Sequence, residues 1–343
     1  MKQIRTEDAA GHVICHDITR IIKDQEKGPA FRKGHVVRPE DIPVLLSMGK
    51  EHLYVWEKSQ DMLHEDEAAM ILAAACQNKG MRLSKPQEGK IEVFAEEEGL
   101  FVVDTSRLAA INSLDQMMIA TRSSMQYVRK GDKLAGTRII PLVIEKEKMQ
   151  AVPAIADAAD PILEIRPIQR KKVGVVTTGG EVYHGRIQDT FTPVIEEKLK
   201  AYGAWMACHR ILPDEKERIT EAIQEMRGTG VDMIVCTGGM SVDPDDMTPA
   251  AIRDSGAKIV TYGAPVLPGA MFLLGYFPDG MPIMGLPGCV MYAKATIFDM
   301  MLPRALADVP VTRADIAALG NGGLCLSCPV CHYPNCAYGK GNF

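Results

Sequence analysis

The sequence has no uninterrupted apolar stretch approaching ~18 residues, so no membrane-spanning helix is expected. Its start, "MKQIRTEDAAGHVICHD", lacks an apolar run of signal-peptide length; a cytoplasmic protein with reduced cysteines is therefore expected. Positive charge is not in excess. Lys and Arg number 39 against 44 Asp and Glu, for a net charge of −5 and a pI near 5.9. That balance argues against nucleic acid or an anionic membrane as a general partner. No internal repeat is visible along the 343 residues.

What is present is the composition of a globular protein, 46% hydrophobic and 24% charged, long enough for two or three domains with their own cores. Four segments are expected. Residues 1–60 mix short strands with a helix: Pro39 opens it, Ile42, Leu45 and Leu46 form its apolar face, Gly49 closes it, and "HLYVW" follows as a strand. Residues 61–168 are β-rich with helices. An amphipathic helix over 61–80 places Met62, Ala69, Leu72, Ala73 and Cys76 on one face, and a second helix is expected near 106–121. "EKEK" at 145–148 reads as a solvated face, and "AVPAIADAADPILEIRP" as a connector.

From 169 to 310 the period changes. "KVGVVTTG", "AWMACHRI", "DMIVCTGG", "KIVTYG", "AMFLLGYF" and "MPIMGLPG" read as strands, with helices between most of them. Thr192 and Pro193 suit the start of one helix, Asp214 and Glu217 a capping box for another, and a long helix is expected from 289 to 307. Alternation of this kind gives an α/β fold, a mainly parallel sheet sandwiched by helices, which binds ligands at the carboxyl ends of its strands.

Two loops leave that edge with the same opening, Thr178-Gly179-Gly180 and Thr237-Gly238-Gly239. Glycines let the backbone approach a ligand and aim N–H groups at an anion. Neither loop matches the dinucleotide Gly-x-Gly-x-x-Gly or the P-loop pattern. Asp189, Asp214 and Asp246 lie close to the loops; each also sits at a helix start, where a cap or turn would explain it. Acids beside an anion site make sense if a divalent cation or an amine shares the crevice.

Residues 171–305 resemble the molybdopterin-binding domain of molybdenum-cofactor biosynthesis proteins. The resemblance is carried by "TTGGEVYHGRIQDT", "LPDEKERI", "DMIVCTGGMSVDPDDMTPAAI", "VLPGAMFLLG" and "GLPG". "FRKGHVVRPEDIPVLLSMG" and "VRKGDKLAGTRIIPL" resemble segments of the larger molybdopterin molybdotransferases. The resemblance implies molybdopterin or its adenylylated form as ligand, molybdate as co-substrate and Mg²⁺ as cofactor. It also implies a transferase that inserts molybdate and cleaves the adenylate, and a homodimer. The alternative is a non-catalytic carrier delivering the cofactor to a client molybdoenzyme.

Carried over residue by residue, Thr178, Gly179, Gly180, Glu181, Thr237, Gly238, Gly239 and Ser241 would line the anion site. Pro268, Gly269, Gly285, Pro287 and Gly288 would close the crevice, and Asp189, Asp214 and Asp246 would supply its acids. Three departures stand out. Leu267 replaces the Lys of a family Lys-Pro-Gly, "GLPGCV" replaces Gly-Leu-Pro-Gly-Asn-Pro, and no Asp-Gly-Tyr-Ala segment occurs in the first half.

The nine cysteines divide into five isolated ones, Cys15, Cys76, Cys208, Cys236 and Cys289, and four crowded into the tail. Cys208, Cys236 and Cys289 sit in apolar runs and read as buried, inert thiols. In the tail, 311–343, Cys325, Cys328, Cys331 and Cys336 are spaced C-x2-C-x2-C-x4-C around His332. Thiolates so spaced can converge on zinc or an iron–sulfur cluster. The plainer alternative is an unstructured tail of free thiols.

Overall fold

A computed structural model describes residues 2–22, 26–55 and 61–341, without the side chains of 21, 22, 26 and 27. Trp56, the end of the expected strand "HLYVW", lies outside the described residues. The chain forms two compact units. One comprises Met1–Glu97, Val103–Arg122 and Arg129–Ile165; the other comprises Glu98–Val102, Ser123–Val128 and Arg166–Phe343. Among the described residues, no helix is long and apolar enough to cross a membrane.

The first unit contains a four-stranded antiparallel sheet in the order Met81–Leu83, Lys90–Ala95, Lys133–Ile139, Met117–Thr121. The expected helix over 61–80 is shorter, Glu65–Ala74, and a strand, Met62–His64, precedes it. His64 explains the break: its side chain accepts the Asp66 N–H while Glu67 reaches back to the His64 N–H. The helix expected near 106–121 likewise stops at Asn112. Asp115 and Gln116 hold left-handed backbone (φ 63° and 64°), and Met117–Thr121 continues as a strand. "EKEK" and the connector form the helix Lys146–Ala156, which buries Met149 and Val152, followed by the strand Leu163–Arg166.

The second unit is the α/β layer structure that the alternating pattern requires. Its elements are β1 (Lys172–Thr178), α1 (Gly180–Tyr183), α2 (Phe191–Lys200), β2 (Trp205–Leu212), α3 (Lys216–Gly228) and β3 (Met233–Thr237). There follow α4 (Thr248–Asp254), β4 (Lys258–Tyr262), β5 (Leu273–Tyr276), β6 (Pro282–Leu286), α5 (Ile297–Leu306) and α6 (Arg313–Ala318). Six strands form one sheet in the order β2-β1-β3-β6-β5-β4. The first four are parallel; β5 runs antiparallel to both β6 and β4.

The central strands β1, β3 and β6 are largely apolar because both faces are covered, while the edge strands β2 and β4 carry exposed polar residues. Successive side chains of a strand point to opposite faces. Val173, Val175, Met233 and Val235 therefore join the core with Ile195 and Leu199 of α2 and Phe298, Met301 and Leu302 of α5. Val176, Ile234 and Cys236 face the other way, onto Ile219, Ile223 and Met226 of α3 and Ile252 of α4. The long helix expected over 289–307 is two pieces. Gly288–Met291 is a 3-10 turn, and α5 starts afresh at Ile297, where Thr296 and Asp299 form a reciprocal cap.

The tail is folded onto this unit. Val311, Ile316, Leu319 and Tyr338 belong to the α2–α5 core. Leu267 N–H bonds the Gly323 carbonyl and Cys325 N–H bonds the Leu267 carbonyl, both at 2.8 Å. The reading of an unstructured tail is therefore overturned over 311–341: apolar burial and backbone pairing hold it.

Candidate functional site

Strand register gathers the chemistry. Thr178 lies beside Leu212, Thr177 beside Thr237, and Thr237 beside Leu286. The loops following β1, β2, β3 and β6 thus leave from one edge of the sheet. The chain passes from β1 to β2 on one side and returns to β3 on the other. The direction of winding reverses between β1 and β3, where sheets of this kind open a crevice.

A crevice of about 510 Å³ opens at this edge. Gly238 to Ser241 and Asp246 form one wall; Leu286 to Cys289, Met291 and Tyr292 form another; Ala270 and Met271 contribute the remainder. No Lys, Arg or His stands among these wall residues. An anion entering here would meet backbone dipoles rather than a side-chain cation.

The two Thr-Gly-Gly loops are tied together under the crevice. The Thr178 and Thr248 hydroxyls are 3.1 Å apart. Gly180 N–H donates to Asp214 Oδ2 at 2.9 Å. Asp214 therefore does not form the expected capping box with Glu217: Glu215 is the first residue flanking α3, with no side-chain cap bond, and the Asp214 carboxylate turns to the β1 loop instead. Its other oxygen, Oδ1, is buried and has no hydrogen-bond partner. A side chain at Gly239 would place its Cβ 3.2 Å from Asp214 Oδ1, 3.2 Å from Thr178 Oγ1 and 2.9 Å from Thr248 Oγ1. Three oxygens thus surround the point where only glycine leaves room.

Asp246 braces the β3 loop by accepting Ser241 N–H at 2.6 Å. Its own N–H bonds the Asp243 carbonyl at 3.0 Å, so Asp243 shapes the turn. From β4, Tyr262 donates to the carbonyls of Met240 and Ser241 at 3.0 and 3.1 Å. Burial pushes that phenol above its ordinary pKa, and the nearby Asp246 carboxylate adds to the rise.

Asp189 is fully engaged. It accepts the N–H groups of Phe191 and Thr192, at 2.8 and 3.1 Å, and the Thr192 hydroxyl. The start of α2 is thus capped by Asp189, not by Thr192, because the carboxylate reaches two of the helix's orphan donors. His209, on β2, contacts the same group: its Nε2 is 2.9 Å from Thr177 Oγ1, 3.2 Å from Thr192 Oγ1 and 3.7 Å from Asp189 Oδ2. Burial holds the imidazole below its ordinary pKa, with Asp189 and Glu196 pulling the other way.

Of the residues expected to line the crevice, Gly238, Gly239, Ser241, Asp246, Pro287 and Gly288 do so. Thr237 is fully buried at the end of β3. Thr178, Gly179, Gly180 and Glu181 stand beside the crevice at the β1 end rather than in its wall. Gly285 lies within β6, where a Cβ would collide with Met240. Gly269 packs against Ile297, and Pro268 faces the cysteine-lined cavity of the tail. Leu267 is 55% exposed and carries the tail on its backbone. Cys236 is buried as expected, but Cys208 and Cys289 are only half-buried, Cys289 because it faces the crevice.

Sequence reasoning passed over His209, Tyr262 and Tyr292. Tyr292 is 77% exposed on the crevice wall, and an aromatic just past Gly-Leu-Pro-Gly was the available signal. In the first unit, ligand atoms of His64, Glu65 and Asp66 also lie within 4.8 Å of one another. Lys33 Nζ already serves that group, 2.9 Å from His64 Nδ1 and 2.6 Å from Asp66.

Residues 174–307 match the family described as "Probable molybdopterin binding domain", and residues 3–57 match a domain of unknown function. A molybdopterin molybdenumtransferase of Synechococcus elongatus is 24% identical over 147 residues, covering 40% of this chain and 36% of the relative. A CinA-like protein of Mycobacterium sp. is 36% identical over 90 residues, 26% of this chain and 21% of the relative. The matched segments thus span about a third and a fifth of those two relatives. A solved molybdopterin biosynthesis enzyme, MoaB of Thermus thermophilus, is 23% identical, with 41% of this chain and 98% of that one covered at a TM-score of 0.35. Residues 174–307 are a molybdopterin-binding domain of the molybdenum-cofactor biosynthesis family.

Proposed function

We propose that this molybdopterin-binding domain takes adenylylated molybdopterin into the crevice and cleaves the adenylate as molybdate is inserted. The observation that carries the reading is the sealed, unpartnered Oδ1 of Asp214. A buried carboxylate oxygen without a donor is costly unless something positive meets it. The two threonine hydroxyls near it complete an oxygen-only donor set, the chemistry a hard divalent cation such as Mg²⁺ prefers. Asp214 would hold that ion, with Asp246 on the adjoining wall. The bound ion would supply charge neutralisation at the pyrophosphate oxygens.

The chain's own residues do the rest. The Thr178–Thr248 contact joins the two glycine loops. Asp246 and Tyr262 fix the loop from Met240 to Ser241, so its dipoles are set before ligand arrives. Tyr292 offers an exposed aromatic face to a flat pterin ring.

The test is incubation of the full chain with adenylylated molybdopterin, Mg²⁺ and molybdate. AMP release with molybdenum uptake is expected, reduced on the order of 100-fold in Asp214→Ala. Full activity in both Asp214→Ala and Asp246→Ala would overturn the assignment.

The crevice wall without a cation favours a second reading, a carrier that holds molybdopterin for a client molybdoenzyme. Tight binding with no AMP release decides for it. A homodimer accompanies either reading through the family resemblance.

A further inference from the structure

All four tail cysteines line one cavity of about 480 Å³, together with His332 and Lys294. The segment is held in place rather than trailing. Tyr338 donates to the Pro268 carbonyl at 3.0 Å, Tyr333 to the Asp299 carbonyl at 3.2 Å, and Gly339 N–H to the Gly322 carbonyl at 2.9 Å. Cys325 and Cys336 are half-buried against the α2–α5 core; Cys328 and Cys331 are exposed. The chain thus folds so that thiols from both ends of a twelve-residue run face a common space.

The geometry points to an iron–sulfur cluster held by Cys325, Cys328, Cys331 and Cys336. Two observations separate it from zinc. The first three cysteines follow one another at x2 intervals, as in cuboidal cluster runs, whereas zinc sites commonly draw two separated pairs. A single zinc bound tetrahedrally at ~2.3 Å needs its four sulfurs within roughly 4 Å of one another. Among the described residues, no three of these ligand atoms come within 4.8 Å. A cluster distributes its thiolates over separate irons and so accepts the wider spacing. Lys294 is the cation on the cavity wall to balance four thiolates. Ala293 and Lys294 of this cavity directly follow Tyr292 of the crevice. The site therefore adjoins the ligand crevice, though it does not depend on the function proposed above.

The experiment is anaerobic reconstitution of the full chain with ferrous iron and sulfide, followed by desalting. Expected are a brown protein with broad visible absorption, iron and acid-labile sulfide in equal amounts, and a paramagnetic signal on reduction. Cys328→Ser and Cys331→Ser alter exposed side chains, so their circular dichroism should match the parent while bound iron and colour are lost. A colourless chain with one zinc, a chain that takes up no iron, or serine variants that keep the full iron content would each overturn the proposal.

Discussion

Two loops of this molecule share the tripeptide Thr-Gly-Gly, leave adjacent strands at the same edge, and do different work. After β1, Gly180 spends its N–H on Asp214, and the chain turns into a short helix beside the crevice. After β3, Gly238 and Gly239 adopt left-handed backbone, φ 83° and 53°, and form the crevice wall itself. A Cβ at Gly238 would stand far inside contact distance of the Thr178 carbonyl oxygen and 2.8 Å from its carbon. At Gly180 the nearest atom to such a Cβ is Asp214 Oδ2 at 4.0 Å. The same holds between true counterparts: a Cβ at Gly239, the second glycine after β3, would meet three oxygens within 3.2 Å, and at Gly180, the second glycine after β1, it would meet none so close.

The sharpest way to break this comparison is alanine at each position. Gly238→Ala should destabilise the second unit by about 3 kcal/mol or more, from backbone strain and overpacking together. Gly180→Ala should stay within about 0.5 kcal/mol of the parent. Equal denaturant midpoints for the two would contradict the distinction.

A smaller effect separates the acids that serve the loops. Asp189→Ala removes a cap that holds two N–H groups and a hydroxyl, and should cost about 1–2 kcal/mol. Asp246→Ala gives up one bond to Ser241 and should cost about 0.5–1 kcal/mol while loosening ligand binding. Thermal unfolding read beside ligand affinity checks whether the two costs are so ordered.

The smallest expected effect is a pH dependence confined to the β1 side. Burial lowers the folded-state pKa of His209 below its ordinary value of 6.5. The neutral ring is thus favoured by folding, so its contribution is present above pH 6.5 and is lost as pH falls toward the depressed value. His209→Gln should flatten the decline in stability below pH 6.5. An unchanged slope would remove His209 from the account.

The layer architecture was legible because a sheet covered on both faces needs continuous apolar strands, and β1, β3 and β6 show them plainly. The crevice was legible from Gly238 to Ser241 and from Pro287 to Gly288, where glycine and proline mark loops at strand ends. What escaped was pairing over distance. Asp214 and Glu217 have capping-box spacing, yet the carboxylate is drawn to Gly180, 34 residues away, by the parallel pairing of β1 with β2. His209 and Tyr262 lie on strands and carry no local motif; only the register brings them under the loops. The first unit was harder because its short elements end at unadvertised signals, such as His64 capping a helix.

Equilibrium binding of adenylylated molybdopterin, with and without Mg²⁺, to the parent chain and to Asp214→Asn tests the central claim most directly. The account predicts that Mg²⁺ tightens binding by the parent and leaves the variant unaffected, with both folded alike by circular dichroism. An equal gain from Mg²⁺ in the two proteins would contradict the role given to the unpartnered Asp214 oxygen.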